Sequence, residues 1–83
     1  MNSNERGQMR DRYQSGERLA LFVERQIADL MGIVDRMGRY VPEGWEGLAG
    51  IKDRMAEVGM DMTTWRHGEA MNALRVQLKE EEG

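Results

Sequence analysis

The sequence predicts an all-α chain: one long N-terminal helix folded into an antiparallel hairpin with a second, broken helical arm, two copies pairing as a four-helix-bundle-like dimer. Three observations carry that prediction. Apolar or small residues recur at alternating steps of four and three from Met9 to Val41, a second series with the same steps runs from Trp45 to Trp65, and no stretch alternates polar and apolar residues as a half-buried strand would.

The first helix is expected over about residues 9–40. Written as heptads, Tyr13, Ala20, Ile27, Val34 and Val41 fall at a, and Met9, Gly16, Val23, Leu30 and Met37 at d. Residues 1–8 are polar and contain Gly7, so they are expected to be disordered. Pro42 ends the helix, because the residue before a proline is driven out of the helical region and Pro42 itself suits the first turn of the next helix. Glu43 and Glu46 then sit where carboxylates favour a helix N-terminus.

The second arm carries Trp45, Leu48, Ile51, Met55, Val58, Met62 and Trp65, after which the phase slips to Met71, Leu74 and Leu78. A slip implies a break. Gly59 can close one helix, and Asp61, Thr63 or Thr64 can cap another, which places the break near residues 59–64. The domain is expected to span residues 9–79, with residues 80–83 a disordered acidic tail because Glu80, Glu81 and Glu82 oppose the dipole at a helix C-terminus.

A chain of 83 residues buries little surface alone and has little with which to cover a ten-position seam. Self-association through Tyr13, Ala20, Val23, Ile27, Leu30, Val34 and Met37 is therefore expected. Leu19, Ile33 and Tyr40 at g, Met31 at e, Leu21 at b and Phe22 at c extend the apolar surface beyond a two-position stripe, so the helix is expected to have at least two neighbours. Leu21, Phe22, Met60, Met62, Trp65 and Arg66 are candidates for contact with another protein, since adaptable Met and anchoring Trp and Arg suit interfaces.

Chemistry has few carriers here. There is no cysteine and one histidine, His67, and the two serines, Ser3 and Ser15, have no base at a useful spacing. The glycine-rich run Gly44–Gly50 lacks a Lys-Ser/Thr continuation and is flanked by Glu43 and Glu46, which repel phosphate. No catalytic residue, metal site or cofactor is expected. Residues 1–41 hold seven arginines against six acids, and residues 42–83 five basic groups against nine acids, so generic nucleic-acid binding is disfavoured. Arg18, Arg25 and Arg39 at f read as a solvated outer face. The longest apolar run, Leu19–Val23, is too short to span a bilayer, and a cytoplasmic location is the default expectation.

The expected function is that of a small non-enzymatic helical protein–protein interaction module, an adaptor or inhibitor of the bacterial or bacteriophage accessory type, with itself and a further protein as partners. The alternative is a helix-turn-helix regulator built on residues 51–75, in which Gly59 would make the turn and Thr63, Thr64, Arg66 and His67 would face DNA.

Overall fold

The computed structural model describes residues 2–82; Met1 and Gly83, the outermost residues of the two expected disordered segments, lie outside them. Three α-helices follow in order, α1 (Ser3–Tyr40), α2 (Trp45–Arg66) and α3 (Glu69–Glu82), with one 3-10 turn (Pro42–Gly44) between α1 and α2. Both α2 and α3 pack back along α1, giving an all-α antiparallel hairpin. It is a rod of 60 × 18 × 15 Å with a radius of gyration of 18.3 Å, against about 12 Å for a compact domain of this length.

Helix α1 starts at Ser3, six residues before the expected Met9. Asn2 is its N-cap, and the side-chain oxygen accepts the Glu5 backbone N–H at 2.8 Å. Asn-Ser-Asn-Glu thus has the spacing of a capping box, which offsets the polar composition of the first turns. The C-terminal end falls where proline requires: the Val41 N–H reaches the Met37 carbonyl, Pro42 opens the 3-10 turn, and the Gly44 N–H closes on Val41.

The break in the second arm is at His67–Gly68, which corrects the expected 59–64. Residues 59–64 lie inside α2. Gly59 does not end a helix; it sits within α2 facing α1, where a Cβ would stand in ordinary contact, 3.6 Å from the Ile27 methyl. Thr63 does not cap one either, because its hydroxyl is occupied by the Gly59 carbonyl (3.1 Å) and by Glu24. The turn is made instead where the His67 N–H bonds Thr63 O and the Gly68 N–H bonds Trp65 O, with His67 Nδ1 3.0 Å from the same Thr63 oxygen. A side chain at Gly68 would crowd the carbonyls of Thr64 and Trp65 at 3.0 and 3.1 Å. With residues 51–66 one uninterrupted helix, the turn that a helix-turn-helix needs at Gly59 is missing. Helix α3 carries on through Glu82, past the expected end near Lys79.

Contacts between the arms set a single register. Gly16 faces Met71, Glu24 faces Thr63, Ile27 faces Gly59, Asp35 faces Lys52 and Gly38 faces Trp45. Ala20, Val34, Met71 and Leu78 are the buried hydrophobic residues among those described. That is a thin core for a rod of this length.

Glycines on α1 divide by what surrounds them. At Gly38 a Cβ would lie 2.5 Å from the Trp45 ring, so the absence of a side chain is what admits the indole, over which Lys52 Nζ stands at 5.7 Å. Gly32 has open space instead. Gly32→Ala is therefore expected to stabilise the helix by about 1 kcal/mol, while Gly38→Ala loses that gain to displacement of Trp45. Thermal melts of the two variants check this; a Gly38→Ala rise equal to that of Gly32→Ala would show that the indole contact is worth nothing.

Candidate interaction surface

The seam of α1 is shared between two directions. Its a and e positions turn toward the second arm: Tyr13, Glu17, Ala20, Glu24, Ile27, Met31, Val34 and Gly38 are half-buried or buried. Its d and g positions form another line, Gly16, Leu19, Val23, Gln26, Leu30, Ile33, Met37 and Tyr40, stepping by three and four over 25 residues without one charge. Leu19 is 57% exposed, Leu30 45%, Ile33 42% and Met37 49%. On α2 the matching outward line is Gly47, Ile51, Arg54, Val58, Asp61 and Trp65, with Ile51, Val58 and Trp65 about half exposed.

These two lines border the same groove. Leu19 and Val23 line one stretch of it with Met62 and Trp65, and Ile27 lines the next with Ile51, Arg54, Met55 and Val58. The groove on the opposite side is also largely apolar, with Ile27, Ala28, Met31, Ala56 and Met60 beside Glu24 and Thr64. Polar ties hold the arms together along α1 positions e and b. Glu24 accepts from Arg66 Nε at 2.8 Å and from the Thr63 hydroxyl, Glu17 stands 3.9 Å from Arg66, and Lys52 Nζ donates to Asp35 at 2.5 Å.

The Arg66 hydrogen bond, aided by that from Thr63, holds the Glu24 carboxyl below the usual glutamate value, and Glu24 in turn raises Arg66 above the usual arginine value. The sign follows from linkage. A carboxyl depressed in the folded state contributes stability that is present above its unfolded pKa and is lost as pH falls through its folded value. Wild type should thus exceed Glu24→Gln in melting temperature at neutral pH, and the difference should vanish on acidification below the glutamate range. An NMR titration placing Glu24 level with or above the exposed glutamates would contradict the arrangement.

Of the residues expected at a dimer interface, Ala20 and Val34 are enclosed by the second arm of their own chain, Tyr13, Val23 and Ile27 are half-buried at its edge, and Leu30 and Met37 are exposed. Of those expected to meet another protein, Met62 and Trp65 line the groove along the uncharged face of α1, and Phe22 is exposed. Leu21 and Phe22 also line a shallow furrow with Arg18 and Arg25 on the outer side of α1, Met60 lies on the opposite side of the hairpin, and the Arg66 guanidinium is bound to Glu24. The Glu24–Arg66 tie, 42 residues apart in sequence, has no local signal. Gln26 completes the uncharged line, and its signal was available: none of the g positions 19, 26, 33 and 40 is charged, where paired helices commonly place Glu or Lys.

Among the described residues no group of three or more His, Cys, Asp and Glu side chains is placed to hold a metal ion, and no helix is long and apolar enough to cross a membrane. The chain matches no known protein family, no curated protein and no solved structure.

Proposed function

We propose that this chain is a non-enzymatic helical protein–protein interaction module of the adaptor or inhibitor kind that associates through the uncharged d/g face of α1 together with the outward edge of α2. The observation that carries the reading is the line from Gly16 to Tyr40, eight consecutive d and g positions with no charge and most of their large side chains exposed. Contiguous apolar surface of this extent is rare on isolated soluble proteins and common at interfaces. Flexible Met37 and Met62 and the half-exposed Trp65 supply adaptable area and an anchor on the same face.

The exposed surface supports it as well. The chain presents 6380 Å², about 1,300 Å² more than the ~5,100 Å² expected of a compact monomer of its mass, whereas a standard interface covers about 800 Å² on each partner. The test is the paired variant I33E/M37E, whose substitutions lie on the open face and leave the inner a/e face untouched. It should keep its helical circular dichroism and lose association, whether with itself or with a protein captured from lysate. Association undiminished in a folded I33E/M37E refutes the reading.

A further inference from the structure

We infer that the occupant of the open face is a second copy of this chain, related by a twofold axis crossing the hairpin near Leu30 and Val58, with α1 antiparallel on the partner's α1 and α2 antiparallel on the partner's α2. This rests on the proposed use of the face and adds its occupant and orientation.

Charge placement selects that arrangement. The outward line of α2 carries two charges, Arg54 and Asp61, set on either side of Val58. They are seven residues apart, about 10 Å along a helix, and no ion pair among the described residues engages either. Reversing α2 on a copy of itself about Val58 brings Arg54 to the partner's Asp61 and Asp61 to the partner's Arg54, the self-complementary pattern that an isologous interface requires. The other twofold arrangement lays α2 on the partner's α1, where both charges would face an uncharged line and lose water without gaining a partner.

Level is the second observation. The uncharged line of α1 runs from Gly16 to Tyr40, so its middle is residue 28. Cross-arm contacts put Ile27 beside Gly59, one residue from Val58. One axis therefore passes through the centre of the apolar line on α1 and the centre of the charge pattern on α2 at once. Area is the third: the excess surface is more than a standard dimer interface removes from each protomer.

The chain has no cysteine, so an introduced thiol reports on the axis directly. Light scattering of the wild type at tens of micromolar should give twice the chain mass. V58C should close into a disulfide-linked dimer under mild oxidation, because its two thiols meet across the axis. R54D and D61R should each weaken the dimer about tenfold, and R54D/D61R should return it to within about threefold of wild type. A monomeric wild type overturns the inference. So does V58C that stays reduced while a mixture of L30C and V58C cross-links, or a double charge swap that rescues nothing. The functional reading fails on different evidence, a folded I33E/M37E that associates as before; it stands, without this inference, if the wild type is monomeric and I33E/M37E loses a captured protein of another kind.

Discussion

Val34→Asp is expected to abolish the fold at 25 °C, with the 222 nm helical signal reduced to that of a largely unfolded chain. Val34 is 6% exposed on the inner face of α1. A carboxylate there would be desolvated among apolar side chains, which costs several kcal/mol. Small domains hold about 5–10 kcal/mol in total, and this one encloses few large side chains. Leu30→Glu, four residues earlier and 45% exposed, is the control: it should remain helical, because the added charge sits on the open face. A cooperative melt of Val34→Asp within a few degrees of wild type would show that the inner and outer faces have been assigned the wrong way round.

The second large effect is expected at Met71→Ala. Met71 is 3% exposed, and its sulfur and methyl group fill the space over Gly16, 3.1 and 3.3 Å from where a Cβ would be. Truncating a buried methionine typically costs 2–5 kcal/mol, more where the cavity cannot collapse. Helix α3 has few other enclosed residues, Leu78 chief among them, so much of that loss should appear as detachment of α3. Combining Met71→Ala with Gly16→Ala should recover part of it, since the added methyl fills vacated space and raises helix propensity; the coupling is read from a double-mutant cycle. Strict additivity of the two changes would mean that they do not share a cavity.

How far these features were legible in the sequence follows from the range of each interaction. The long helix, the stop at Val41–Pro42 and the return arm are written in local periodicity and proline sterics, and all were readable. The start at Ser3 was also local, in Asn2 and Glu5, but a polar first turn obscured it. The break was misplaced because Gly59, Thr63 and Thr64 have the chemistry of a turn, whereas what decides their state is across the hairpin: Ile27 packs on Gly59, and Glu24 holds Thr63. The division of the seam into an inner a/e face and an outer d/g face was beyond local reading for the same reason. A heptad pattern states that a helix has neighbours; it does not say which side each one occupies. Excess apolar residues at g were the trace of it.

The fixed register of the arms also bears on the order in which the chain closes. Gly38 and Trp45, which meet nearest the turn, are only seven positions apart in sequence, Asp35 and Lys52 are 17 apart, Glu24 and Arg66 42, and Gly16 and Met71 55. Each contact shortens the loop that the next must close, so the entropic cost of every successive step is small once the first turn at Pro42 has formed. The hairpin should zip from Trp45 outward, with its rate set near the loop and its lifetime set at the open end. Changes around Gly38 and Trp45 then alter how fast the molecule folds, and changes around Met71 and Leu78 alter how soon it comes apart.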